Sequence, residues 1–269
     1  MTMTNDKSLA DGRTSPELPV IRTIGVQDLK EVLIAGLDDF KAKPSHLILL
    51  VFIYPIVSLF AIRLAAGYDI LPLIFPLLAG FALIGPVAAI GLYELSRRRE
   101  RGLEISFLHT LDPMRSDSIG AIAVLSLALM VVYFAWLGAS QVIYRLFFGD
   151  LVPESVGQFA SQIFTTPAGW AMIFVGTGVG FIFAVAVLAI SAISFPMLVD
   201  RNVGIATAVQ TSVRAVVANP VTMAIWGIFV VGALGLGALP LFVGLAVAMP
   251  VLGHSTWHLY RKLVESDVG

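Results

Sequence analysis

The stretch VTMAIWGIFVVGALGLGALPLFVGLAVAMPVLGHSTW, running from Val221 to Trp257, holds no Asp, Glu, Lys or Arg in 37 residues. As one helix it would reach roughly 55 Å at ~1.5 Å per residue, nearly twice the ~30 Å hydrocarbon core of a bilayer. Gly235, Gly237 and Pro240 lie near its middle, where turn chemistry lets a chain reverse. The stretch therefore reads as two membrane spans, 221–238 and 240–258, joined by a tight turn.

The same reading extends outward. Leu47 to Ala66 fits a first span, and Ile70 to Leu95 a second, interrupted by Pro72, Pro76 and Pro86. Spans three and four cover 119–148 and 168–199, long enough to require tilt or extension beyond the lipid. The composition agrees. The chain has 269 residues, 58% hydrophobic and 13% charged, where soluble domains carry about a quarter charged residues. Its mean hydropathy is +0.90. An ordinary soluble domain is excluded, and an all-α polytopic membrane protein with six transmembrane helices arranged as hairpins is expected. The absence of cysteine excludes disulfides, iron–sulfur clusters, thiolate zinc sites and a cysteine nucleophile. Residues 1–18 read as a disordered polar leader and 19–269 as the six-helix domain. With no early apolar segment there is no signal-peptide pattern, so the leader is expected to stay in the mature protein.

Basic residues set the expected orientation. Fifteen of the seventeen Lys and Arg residues fall before span one, between spans two and three, between four and five, or after six; only Arg63 and Arg145 fall on the other side. Both termini are expected to be cytoplasmic.

One module recurs. Val26, Leu29, Leu33, Leu37 and Phe40 repeat at helical spacing before span one, with Gln27, Asp28, Lys30, Glu31, Asp38 and Asp39 on other faces. This pattern predicts an amphipathic helix on the cytoplasmic interface. Pro44 then starts a span. A shift of 176 residues brings Ile205, Val209, Val213 and Val216, followed by Asn219-Pro220, an N-cap and first-turn proline pair. Pro86 is followed by Tyr93, Leu95, Arg97 and Arg98, and Pro250 at the same offsets by Trp257, Leu259, Arg261 and Lys262. Span four carries a similar Pro196 before Asp200 and Arg201. Each hairpin thus returns through a proline-bearing helix with a polar end. Both clear copies start on the same side, so the internal repeat is parallel. Parallel repeats occur in transporters, and they also arise by plain duplication in proteins that transport nothing.

The segments Gly91-Leu-Tyr-Glu-Leu-Ser-Arg-Arg, Asn219-Pro220 and Gly253-His-Ser-Thr-Trp-His-Leu-Tyr-Arg, with Phe195-Pro-Met and Pro19-Val-Ile-Arg, resemble a family of bacterial integral membrane proteins. It is known as domain of unknown function 2189. The similarity runs from about Pro19 to the C-terminus. It implies a multi-span bacterial inner-membrane protein without an established activity. Some relatives carry a cytochrome c oxidase label, but four histidines are too few for a haem–copper core.

Four polar residues stand out near the ends of the returning helices. His254 and His258 lie one turn apart and share a face, a spacing that suits a metal or a haem ligand. Glu94 is the repeat counterpart of His258, while Asp200 and His254 each lie four residues beyond a proline. If the three helix ends meet, Glu94, Asp200, His254 and His258 converge on a metal or proton-relay site. The competing reading is structural: Glu94 has Arg97 and Arg98 at pairing distance along its own helix. Arg97, Arg98, Arg99 and Arg101 form a basic cluster that enforces topology or recruits anionic lipid. Gly176-Thr-Gly-Val-Gly180 is a packing stripe and no phosphate loop, lacking the Lys-Ser/Thr and the preceding strand. Trp170 and Trp257 read as interfacial anchors.

No catalytic constellation stands out and no cofactor is expected. The expected partners are the lipid bilayer and either a membrane complex or a second copy of the chain, with no nucleic acid. The leading expectation is a non-enzymatic accessory or assembly component of a larger membrane complex. The alternative is a small-solute transporter or channel.

Overall fold

A computed structural model describes residues 18–42, 71–239 and 243–265. The expected leader falls almost wholly outside these residues, as does the first expected span, 47–66. The described chain is all-helical, with no strands. α1 (Val26–Ala42) is followed by a short 3-10 turn at Leu71–Leu73, α2 (Ile74–Ala88) and α3 (Ile90–Glu100). A nine-residue 3-10 segment, Phe107–Arg115, leads into α4 (Ile119–Phe148). Then come α5 (Val156–Thr165), α6 (Pro167–Ser191), α7 (Ser194–Asp200), α8 (Gly204–Ala218), α9 (Pro220–Ala238) and α10 (Leu245–Leu263).

Three helices among the described residues are long and apolar enough to cross a membrane: 119–148, 167–200 taken through its break, and 220–238. Only 6% of the most apolar window of 167–200 is buried inside the protein, so its side chains face outward, as lipid contact requires. The expected span 70–95 is instead a helix pair. Pro86 removes a backbone donor and crowds the preceding turn, and the helix breaks three residues later at Ala89 before continuing to Glu100. The expected span 168–199 breaks at Ala192–Ile193. Pro196 then sits in the first turn of α7, where a missing N–H costs little. Serines repair this break: Ser212 Oγ accepts from the Ile193 N–H at 3.2 Å, and Ser194 Oγ donates to the Ile190 carbonyl. The uncharged 221–257 stretch does reverse, between Ala238 and Leu245. Gly237 and Gly244 touch across the reversal closely enough that a Cβ on Gly237 would lie 3.1 Å from Gly244 backbone. The returning helix starts later than expected and runs on to Leu263.

One end of the bundle is assembled by a recurring contact. α3, α7 and α10, the polar ends of the three returning helices, pack on one another. A short segment lies against each: α1 on α10, Phe107–Arg115 on α3, and α8 on α7. Small residues make the approach. A Cβ on Gly36 of α1 would collide with the backbone of Ser255, 2.6 Å from its nitrogen. A Cβ on Gly91 of α3 would meet Thr110. Ala208 and Ala215 of α8 are fully buried.

The buried face of α1 is accordingly Leu29, Val32, Gly36, Asp39 and Phe40. That is rotated from the expected stripe, which leaves Val26 and Leu37 exposed. α8 behaves alike, burying Ala208, Thr211, Ser212 and Ala215 while Val213 stays exposed. Large apolar residues share these packed faces, but the closest helix approach falls on small ones, Gly36 in α1 and Ala208 and Ala215 in α8, because only they let backbones come close.

Gly36→Val forces α1 off α10 and is expected to destabilise the protein by about 1–3 kcal/mol, read as a lowered Tm in detergent. Gly138→Ala, where an added methyl meets only open space, is expected to leave Tm unchanged or raise it, since alanine favours helix by about 1 kcal/mol.

Candidate functional site

The same close approach of α1 to α10 brings a carboxylate into the protein interior. Asp39 stands on the buried face of α1 one turn beyond Gly36, and is 8% exposed. Its Oδ2 accepts from Ser96 Oγ of α3 at 2.5 Å and pairs with His258 Nε2 of α10 at 2.9 Å. Its Oδ1 pairs with Arg99 of α3. Ser96 Oγ in turn lies 2.7 Å from His254 Nδ1. A serine hydroxyl has one hydrogen, and here Asp39 receives it, so Nδ1 of His254 is the donor in that contact. Burial alone would push the Asp39 carboxyl upward. The hydrogen bonds from His258, Ser96 and Arg99, with the charge of His258, outweigh it and hold the group below its ordinary value.

A second network lies on another side of α10. Asp200, at the end of α7, accepts from the Tyr260 hydroxyl at 2.8 Å and pairs with Arg101 at 2.8 Å and Arg261 at 3.5 Å. Tyr260 also accepts from Arg201 Nε at 3.0 Å. Burial and the neighbouring Asp200 carboxylate push the Tyr260 phenol up. Arg261 reaches Glu100 at 2.9 Å, and Glu100 accepts from Trp257 Nε1 at 2.9 Å.

Of the four residues singled out from the sequence, His254 and His258 therefore do come together, on Asp39. Asp200 belongs to the Tyr260 network instead. Glu94 is buried and pairs along its own helix with Arg97 at 2.7 Å and Arg98 at 3.7 Å. Among the described residues no group of three or more His, Cys, Asp or Glu is placed to hold a metal ion.

Asp39 and Ser96 are the residues that sequence reasoning missed. The signal was present: Asp39 falls seven residues after Val32 and three after Gly36, on the face a small-residue reading of α1 would have chosen. The arginine cluster is also spent internally. Arg97 donates to the Val199 carbonyl at 3.0 Å, Arg98 pairs with Asp112 at 3.2 Å, Arg99 with Asp39 and Arg101 with Asp200. Trp257 is no interfacial anchor: it is 1% exposed and bonded to Glu100. Pro220 does open α9, but the Asn219 side chain caps nothing there. It accepts from the Ile24 N–H at 2.8 Å and donates to the Arg22 carbonyl at 3.1 Å, fastening the segment ahead of α1.

Most polar groups described at this end thus link one helix to another. Together with helices whose apolar sides face outward, it defines an integral membrane protein whose ionisable residues gather at one end. Residues 74–200 match the family described as "predicted integral membrane protein", domain of unknown function 2189. The Gly91 and Phe195 motifs fall within the match; the Pro19, Asn219 and Gly253 motifs lie outside it. No curated protein and no solved structure matches the chain.

The depressed Asp39 carboxyl contributes stability above its ordinary value near 3.8, and this is lost as pH falls through the lower value it has when folded. Tm is therefore expected to fall as pH drops below about 4. Asp39→Asn is expected to destabilise the protein by about 1–3 kcal/mol at neutral pH, read as a lowered Tm, and to flatten that acid limb. An unchanged acid limb would show that Asp39 does not carry it.

Proposed function

We propose that this protein is a non-enzymatic accessory or assembly component of a larger complex in the bacterial inner membrane. The observation that carries the reading is how the returning helices meet. Phe195, Met197, Leu198, Tyr93, Trp257 and Leu259 are each at most 3% exposed around Pro196 and Pro250. The polar residues beside them are paired with one another rather than turned toward a common reaction centre. Such an end is a rigid scaffold.

In this proposal the chain crosses six times with both termini in the cytoplasm. Residues 47–66 and the α2–α3 and α10 helices supply the crossings beyond the three long apolar ones. α1 and α8 lie on the cytoplasmic interface as equivalent members of a parallel repeat. Support comes from the small residues that each buries, Gly36 in α1 and Ala208 and Ala215 in α8, and from the apolar side chains that each leaves exposed, Val26 and Leu37 in α1 and Val213 and Val217 in α8. The basic residues supply the orientation.

A small-solute transporter is the second reading. The breaks at Ala89 and Ala192–Ile193 favour it, because discontinuous helices line substrate sites in many transporters.

Tagged protein drawn from native membranes in mild detergent is expected to bring a stoichiometric partner that an unrelated six-span protein does not. Recovery of the chain alone, with solute flux in liposomes, would replace the accessory reading with the transporter. Orientation has a direct test, because the chain lacks cysteine. Cysteine at Asp150 is expected to react with an impermeant maleimide in intact spheroplasts, and cysteine at Glu104 only after lysis. The reverse pattern would invert the topology.

A further inference from the structure

The 3-10 segment Phe107–Arg115 has a face that the bundle does not use. In a 3-10 helix, residues three apart are eclipsed and form a single line. Leu108, Leu111 and Met114 are such a line, and they are 71%, 50% and 64% exposed. Phe107 and Leu103 add exposed apolar surface beside it. The opposite side is committed to the protein. Pro113 is buried, Thr110 packs on Gly91, and Asp112 pairs with Arg98. Arg98 also holds the Glu104 carbonyl at 2.8 Å, fixing the entry to the segment. At the near end His109 Nδ1 accepts from the Ser106 N–H at 3.0 Å, and at the far end Ser116 Oγ donates to the Pro113 carbonyl at 2.8 Å. The segment is therefore held in place with an apolar ridge turned out.

We propose that this ridge is a lipid-docking surface: Leu108, Leu111 and Met114 insert into the leaflet next to the polar end of the bundle. Three observations select lipid over a protein partner. The ridge ends at Met114, five residues before α4 begins at Ile119, so it lies at the depth where a membrane-crossing helix leaves the bilayer. α4 itself turns Val124, Leu127 and Val131 outward. Asp112 is drawn inward to Arg98, while Arg115 at the end of the ridge is exposed, with Asp117 exposed beyond it. That places a cation where it can reach a lipid phosphate, as long basic side chains do at interfaces. α1 and α8 divide their faces in the same manner, and the three segments form a collar seated in the headgroup layer.

Single cysteines at Leu108, Leu111 and Met114, labelled with an environment-sensitive fluorophore, test this in the full chain. The protein is reconstituted in phosphatidylcholine–phosphatidylglycerol vesicles with or without brominated acyl chains. Cysteine at Leu127 serves as the lipid-facing reference and at Glu104 as the aqueous one. Each labelled protein is first checked for a monodisperse elution profile. The ridge positions are expected to show blue-shifted emission and several-fold stronger quenching by brominated lipid than position 104. Quenching by aqueous iodide at the level of position 104 would overturn the proposal. So would protection from both quenchers, which would mean that another protein surface or a second copy covers the ridge.

Discussion

The Asp39 carboxylate is the constraint around which the polar end is built. A buried charge is costly unless paired and fully hydrogen-bonded. Asp39 meets that demand only if α1, α3 and α10 stand in one arrangement, with Ser96, Arg99 and His258 around it. Gly36 makes the arrangement sterically available, since no side chain separates α1 from Ser255. Packing and electrostatics thus act on the same turn of the same helix. Lys262, bonded to Asp28 at 2.8 Å and Glu31 at 2.6 Å, ties the other end of α1 to α10 and has its ammonium group pushed up by those partners.

From this follows a division of labour between the two ends of the molecule. The long helices present outward Val, Leu, Ile and Phe side chains that need nothing beyond an apolar surrounding. The ends of the returning helices carry nearly all the ionisable contacts. In a membrane protein lipid supplies no hydrophobic drive to press one helix against another. Specific pairing and close small-residue contacts must do so, and here they are concentrated where the helices emerge. The arginines of α3 are an example, because a run that looks like a surface patch is divided among Glu94, Asp112, Asp39 and Asp200.

The breaks in the returning helices serve the same end. α7 is only seven residues long, yet it contributes Phe195, Met197 and Leu198 to the buried centre and Asp200 to the Tyr260 network. A straight continuation of α6 would carry those residues along the direction of the membrane-crossing helix. The break lets α7 lie against both α3 and α8, with serine hydroxyls satisfying the backbone groups it frees.

Composition, span length and turn residues are enough to read off the membrane class, the helical content, the bounds of the helix 119–148 and the reversal near Gly237. These depend on local composition and length, which lipid thickness and turn chemistry read directly. The sequence also marked His254 and His258 as a pair, because helical spacing alone puts them on one face. Only the tertiary structure decided that Asp39 and Ser96 join them, and that Asp200 and Glu94 do not. Those contacts bridge residues up to 219 positions apart, and their geometry depends on how closely two helices approach. Apolar periodicity likewise found Leu29 and Phe40 of the packing face of α1, but not Val32, Gly36 or Asp39, and not the small-residue face of α8. Lipid and protein interior attract the same large side chains, and only backbone proximity, set by Gly36 and Ala208, distinguishes them.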